Sequence, residues 1–223
     1  MTEQTRNDLK MIGTTATAGG NFRHVAVTGE CQITGNVDCE KLSLTGELGI
    51  AGDLQADEMK ITGQCKVDGR IGGLSIRGQG EIRGSSGMKM EQIKFNGSLV
   101  VKGSCEAENL SLNGALDVGE LLSAEQLEIG LYGPSRAKEV GGGTIEIKRS
   151  TASRIMELVK PRQEAFFEAE LIEGDKIGLQ YTKANTVRGK AVSIGQDCVI
   201  NTVEFRDTLE IHKNAIVKQQ IKL

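Results

Sequence analysis

Residues 42–63 read LSLTGELGIAGDLQADEMKITG, and this stretch decides the fold. Apolar residues occupy alternate positions in it, and glycines interrupt the alternation before any strand could become long. The opening Leu-x-Leu-Thr-Gly of residues 42–46 returns seventeen residues later as Met-Lys-Ile-Thr-Gly. Similarity of a chain to itself at a fixed step is typical of repeat architectures.

Glycines and apolar residues keep the same step over much of the chain. Glycines recur every seventeen residues, at Gly29, Gly46, Gly63, Gly80, Gly97 and Gly114. One apolar column contains Val25, Leu42, Met59, Ile76, Ile93, Leu110 and Leu127. The next contains Val27, Leu44, Ile61, Gly78, Phe95, Leu112 and Ile129. Four further columns hold the same register with few breaks, so the repeat covers about six units.

The pattern inside one repeat predicts a β-solenoid. Each repeat contains three pairs of alternating apolar residues, separated by Gly-rich or acidic breaks. Alternation of period two predicts short strands with one buried face, and the breaks predict three corners per coil. Successive coils then stack about 4.8 Å apart, the ordinary distance between strands. No single coil can bury its apolar face, so stability accumulates only by stacking.

Two outward columns also repeat. A polar column precedes the first glycine of each coil and comprises Thr28, Thr45, Thr62, Gln79, Asn96 and Asn113. A corner column is acidic except for Leu74 and comprises Glu40, Asp57, Glu91, Glu108 and Glu125. The acidic column is either a solvated corner, the interpretation that we favour, or a docking strip for a basic partner or cation.

The pattern divides the chain into a flexible leader, a block of 17-residue coils, an insert and a continuing solenoid, at residues 1–22, 23–148, 149–168 and 169–223. The insert is either a mobile excursion or a short helix that Pro161 ends. Beyond it, Val192 to Leu209 and Ile194 to Ile211 are again seventeen apart. We therefore interpret the chain as one interrupted solenoid, with two separate domains as the alternative.

Composition excludes several classes of function. The 223 residues include 27 basic and 30 acidic side chains, for a net charge of −3, and no tryptophan. This balance offers no basic field for nucleic acid. The N-terminus lacks the apolar segment of a signal peptide, and the five cysteines form no Cys-x-x-Cys pair. We therefore expect a reduced, cytoplasmic protein whose cysteines fill the core, without metal or other cofactor.

Catalysis on a β-solenoid is the alternative in another class. Residues 193–200, SIGQDCVI, resemble one unit of the left-handed hexapeptide acyltransferases. Those enzymes use a histidine base beside a cleft, whereas His24 and His212 fall outside the regular coils. Asp53, Asp57 and Arg70 are placed near corners of adjacent coils and could mimic an active cluster. Charged corners are the expected background, so we assign no catalytic residues and expect no enzyme.

The Gly-punctuated coils of residues 19–130 resemble the bactofilin family of polymer-forming bacterial cytoskeletal proteins. Residues 172–205 resemble the second block of a longer subgroup in Gram-positive bacteria. The resemblance implies a right-handed parallel β-helix with a triangular apolar core. It also implies polymerisation without nucleotide by end-to-end stacking, with roles in cell shape, envelope processes or motility. The chain departs from typical bactofilins in its insert and in lacking Pro-rich tails.

Open ends of a solenoid are expected to be adhesive, because they expose strand edges and an apolar layer. The residues expected to begin the first coil and close the last are the self-association candidates Val25, Val27, Ala215, Val217 and Ile221. The expected partners are the chain itself or a paralogous bactofilin.

A non-polymerising scaffold that binds other partners is a further alternative. The insert offers the docking candidates Ile155, Met156, Leu158 and Val159, whose partner could also be the solenoid itself. Weak association with a membrane or an envelope protein is an additional expectation, for which Met11 and Ile12 are the only apolar N-terminal pair.

Overall fold

The structure is a computed structural model that describes residues 6–150 and 165–223. It divides into two compact units, Met1–Gly103 (unit 1) and Ser104–Leu223 (unit 2). The described residues of both units consist of strands joined by short turns. The predicted all-β solenoid is therefore confirmed, while its handedness stays a prediction. The division into units falls within the block 23–148 that the repeat predicts as continuous.

The described residues of unit 1 form four strands that bend around the corners of the coils: β1 (Asn7–Ile50), which spans more than two coils, β2 (Leu54–Val67), β3 (Ile71–Gly84) and β4 (Met88–Val101). Neighbouring strands pair in parallel, and every pair joins residues seventeen apart, such as Leu42 with Met59. The first apolar column of unit 1 is buried, with relative exposures of 0–2%. The predicted register is therefore confirmed here.

The part of unit 2 that the structure describes contains six strands: β5 (Cys105–Leu131), β6 (Ser135–Arg149), β7 (Phe167–Leu179), β8 (Thr182–Ile194), β9 (Val199–Ile211) and β10 (Ile216–Lys222). Its neighbours also pair in parallel, but the coils differ in length. Ile145 pairs with Ile177 across the insert, Ile177 pairs with Val192, and Val192 pairs with Leu209. The predicted resumption of the coils after the insert is therefore confirmed.

Residues 7–22 are not a flexible leader, because β1 begins at Asn7. They form a coil that contacts the next one at a step near sixteen: the Thr15 hydroxyl lies 3.2 Å from the Cys31 sulfur. Thr34 donates a hydrogen bond to the Thr17 carbonyl oxygen. Hydroxyl groups occupy positions that later coils fill with apolar side chains, which is why the hydrophobic pattern did not reveal this coil.

A ladder of glycines runs along one corner of unit 1. Gly29, Gly46, Gly63, Gly80 and Gly97 have φ between +116° and +133°, a range that other residues rarely adopt. A Cβ atom on any of the last four would lie 2.0–2.2 Å from the carbonyl oxygen of the preceding glycine. The corner therefore requires glycine both for its backbone conformation and for the close approach of successive coils.

All five cysteines are reduced and buried, three of them in unit 1 and two in unit 2. Burial raises the pKa of Cys65 and Cys105 to about 12. The pKa of Cys39 rises to about 12 and that of Cys198 to about 11, in each case chiefly through burial. These four thiols therefore stay protonated, and all five cysteines lie in the apolar columns as small hydrophobic side chains.

Gly63→Ala is expected to destabilise unit 1 by at least about 3 kcal/mol, because strain at positive φ adds to a clash with backbone that cannot move aside. Gly72→Ala is the control, since its Cβ would displace only the exposed end of Gln55. Urea unfolding of both variants measures the difference. Equal stability of the two variants would contradict the glycine ladder.

Stability is expected to fall above about pH 9, because the thiols of Cys39, Cys65 and Cys105 ionise in the unfolded chain near their ordinary pKa of 9.0 and in the folded chain only near 12. The stabilisation is complete below pH 9 and is lost as the pH rises toward 12. At pH 10 the ionisation of each such thiol in the unfolded chain lowers the free energy of unfolding by on the order of 1 kcal/mol.

Cys65→Val, which matches the apolar residues of its column, should lose less stability between pH 8 and pH 10 than the unchanged chain. Urea midpoints at both pH values test this expectation. An identical loss in the two proteins would count against the contribution of Cys65.

Candidate functional site

The last described layer of unit 2 presents apolar side chains that are only partly covered. Strand β10 pairs with β9, so that Val217 lies over Ile200 and Ile216 over Val199. Ala215 and Val217 are half-buried, whereas Ile216 is 58% exposed. Among residues 165–223 and 6–150, no strand pairs with the other edge of β10. This layer combines an open strand edge with apolar surface.

Ile221 occupies a different position from the one predicted. It pairs with Glu204, which itself pairs with Arg188, so Ile221 belongs to an outward, charged column. The neighbouring inward position holds Gln220, over Val203. The cause is a change of coil length, because β7 and β8 pair at a step of fifteen and the steps that follow are sixteen and seventeen. One side of the last layer is therefore polar.

Val25 and Val27 are not end residues. Their relative exposures are 1% and 2%, because the coil of residues 7–22 covers them. A substitution there would perturb the core rather than an end surface. The first described coil instead leaves Leu9 half-buried and Ile12 62% exposed. Because this coil is rich in threonine, the hydrophobic pattern of the sequence did not show that it covers Val25 and Val27.

The insert candidates Ile155, Met156, Leu158 and Val159 lie outside the described residues. The strand ends beside the insert carry a cluster that the sequence did not reveal. The Arg149 guanidinium lies 3.9 Å from the ring centroid of Tyr181, and the Lys183 amine lies 4.6 Å from that of Phe166. The two rings meet edge to face, with centroids 6.3 Å apart. These contacts join Arg149 and Phe166, the described residues on either side of the insert, to the beginning of β8.

Of the charged residues Asp53, Asp57 and Arg70 near the corners of unit 1, Asp53 and Arg70 take part in hydrogen bonds that hold successive corners together. The Arg70 backbone N–H donates a 2.7 Å hydrogen bond to the Asp53 carboxylate. The Asp53 N–H in turn donates to the Asn36 side-chain oxygen at 2.9 Å. Each side chain thus completes the corner of the next coil. Asp57 is exposed and contributes no hydrogen bond to this arrangement among the described residues.

The two histidines lie on exposed surfaces. His24 Nδ1 is 3.4 Å from an oxygen of Asp8. Asp8 accepts two hydrogen bonds from Arg23, which lower the pKa of its carboxyl group. His212 accepts a hydrogen bond from the Asn214 N–H through Nδ1 at a turn of unit 2. Neither histidine lines the grooves described below.

Outward charges in unit 2 stand opposite one another in pairs. Arg136 donates two hydrogen bonds to Asp117, at 2.8 and 3.0 Å. Arg188 lies between Glu173 and Glu204, and the hydrogen bond to Glu204 is the main reason that its pKa is raised. These contacts link successive coils across the surface.

Two open grooves follow the surface of unit 2, with volumes of about 580 and 510 Å³. The first lies beside Pro134, Phe166 and Lys183. The second contains Gly141 and Gly142 and is bordered by the paired Arg188. No group of three potential metal ligands occurs within the described ranges. The same residues contain no helix that could cross a membrane.

Comparisons with known proteins find relatives without an assigned function. The chain is 35% identical over 104 residues to the uncharacterized protein YhbF of Bacillus subtilis, which covers 46% of this chain and 42% of that protein. It is 39% identical over 104 residues to YhbE of the same organism, at 46% and 43% coverage. The matched segment thus spans less than half of each relative. No family model and no solved structure matches the chain.

Proposed function

We propose that this chain is a bactofilin-like scaffold that assembles with itself by end-to-end stacking, without nucleotide, and catalyses no reaction. The observation that carries the proposal is the last described layer, where Ala215 and Val217 are half-buried beside the open edge of β10. A second copy could continue the parallel pairing there. The fold is consistent with such a role, because every described coil is stabilised by its neighbours.

The end layer supports a contact of moderate strength. Covering a half-exposed aliphatic side chain contributes roughly 1 kcal/mol, and each added backbone hydrogen bond contributes about 1 kcal/mol net. Ordering two molecules costs at least about 4 kcal/mol. The free energy from covering several side chains and from hydrogen bonds along the seven residues of β10 can exceed that cost. The polar side chains of Gln220 and Lys222 reduce this gain on one side of the layer. Assembly should therefore depend strongly on concentration.

Three observations support a role without catalysis. Burial raises the pKa of four thiols and makes them poor nucleophiles. Asp53 holds a corner through a backbone hydrogen bond. The described grooves of unit 2 are open and contain no histidine. The alternative of a hexapeptide-type acyltransferase would require a base beside a cleft.

The cellular setting is proposed from chemistry and resemblance together. Five reduced cysteines favour the cytoplasm as the location. The proposed partners are further copies or a paralogous bactofilin, with only weak association to a membrane or an envelope protein. Cell shape, envelope processes and motility are the roles that the resemblance implies.

Val217→Lys is expected to abolish filaments seen by negative-stain electron microscopy of the purified protein without nucleotide. A charge placed in the end layer would have to be buried on stacking, whereas the half-buried site tolerates it in the single molecule. Gln219→Lys is the matched control, because it adds the same charge at an exposed position of the same strand.

Filaments in the unchanged chain and in the control, with none in Val217→Lys, would support end stacking. Circular dichroism should report equal strand content in all three proteins. Discrete small oligomers in the unchanged chain at every concentration would instead favour a partner-binding scaffold or the acyltransferase alternative.

A further inference from the structure

One flat side of unit 1 carries a column of like charges. Lys60, Arg77 and Lys94 are outward residues of neighbouring coils, and each pairs directly with the next across parallel strands. All three are exposed. Lys41 adds a positive charge on the same side, and Glu58 adds a negative one. We refer to these five residues as the basic face.

The column is unfavourable for the single molecule. Like charges directly opposite on neighbouring strands destabilise a sheet. Arg77 and Lys41 each lie 3.6 Å from Glu58, which offsets part of the repulsion. Lys60 and Lys94 form no ion pair or side-chain hydrogen bond with a described residue. Unit 2 differs, because its outward columns place Asp117 against Arg136 and Glu168 against Lys183.

An acidic corner with the same step lies on the same unit. Glu40, Asp57 and Glu91 occupy one corner column, are exposed, and form no ion pair within the described part of the chain. Asp57 precedes Lys60 by three residues, and Glu91 precedes Lys94 by three. The two acids are therefore separated by two coils, as are the two lysines. Both separations are about 10 Å.

We propose that the basic face of one copy docks against the acidic corner of a second copy lying alongside it with a parallel axis. Lys60 would contact Asp57, and Lys94 would contact Glu91. A second copy is the occupant because its carboxylates recur at the step of the unpaired lysines. The coil between supplies Arg77, which Glu58 already neutralises in part, and at the corner it supplies the uncharged Leu74.

The contact joins two different surfaces, so it can repeat from copy to copy and form rows of solenoids. Exposed ion pairs are individually weak. Copies that are also stacked end to end present many such pairs at once, which multiplies the affinity. The strength of the lateral contact therefore rests on the proposed end stacking, whereas the pairing of lysines with carboxylates does not depend on it.

Carbodiimide cross-linking tests the contact without requiring filaments. The reagent joins an amine to a carboxylate already in contact with it. A mixture of nitrogen-14 and nitrogen-15 protein distinguishes links between copies from links within one copy by mass spectrometry. We expect links between copies from Lys60 and Lys94 to Asp57 and Glu91 at low salt, and their loss at 1 M salt, where charges are screened within about 3 Å.

The variant Lys60→Glu/Lys94→Glu should lose any side-by-side association of filaments and should form fewer links between copies through its remaining lysines, because the links from positions 60 and 94 disappear with the amines in any case. It should fold, because it replaces a like-charge column with alternating signs around Arg77. Lys66→Glu/Lys102→Glu makes the same change in net charge on another side of the same coils and should behave like the unchanged chain. Adding Asp57→Lys/Glu91→Lys to the first variant exchanges the charges and should restore side-by-side association.

The outcomes separate this contact from end stacking. Filaments without the expected links between copies would overturn the lateral contact and leave the proposed function intact. Links without filaments would support the lateral contact and count against end stacking. Unchanged side-by-side association of filaments in the Lys60→Glu/Lys94→Glu variant, or unchanged links between copies through its remaining lysines, would overturn the assignment. A second result would also overturn it. In that result the unchanged chain forms no links between copies but binds phosphatidylglycerol vesicles, and the variant does not bind them.

Discussion

The close stacking of coils at a single corner is the constraint on which the rest of unit 1 depends. Gly46, Gly63, Gly80 and Gly97 approach the preceding glycine so closely that no Cβ atom fits. Parallel hydrogen bonds then hold each coil directly over the last, in a register of seventeen residues. Because that register is constant, each inward column is mostly apolar along its length, and the core is aliphatic apart from Phe95, the one fully buried aromatic side chain among the described residues of unit 1.

The same register acts on the outside of the solenoid. A side chain that points outward lies beside its counterparts in the coils before and after, so repulsion or attraction recurs along a column. In unit 2 this proximity is used for opposite charges, as at Arg188 between Glu173 and Glu204. In unit 1 it places Lys60 beside Arg77. The repulsion within this column destabilises the single molecule. In the proposed lateral contact, the acidic corner of a second copy would neutralise it.

The first and last described layers differ in composition from the coils between them. The first described coil substitutes threonine for apolar residues, with Thr15 beside the sulfur of Cys31. The last described layer keeps Val217 over Ile200 but places Gln220 over Val203. Both layers therefore mix apolar and polar groups at positions that are apolar farther inside. In the proposed end stacking, such a surface would favour reversible over permanent contact, because each contact must also desolvate polar groups.

Alternation and the step of seventeen were sufficient to predict the β-solenoid, the buried column that contains Leu42 and Ile93, and the return of the coils at Ile177. These features depend on local periodicity, which one chain displays by itself. The coil of residues 7–22, the outward position of Ile221 and the hydrogen bond of Asp53 to the next corner required the tertiary structure. The physical reason is that the coils without the insert vary in length from fifteen to nineteen residues outside the regular region, and only hydrogen bonding between coils determines which residue lies over which.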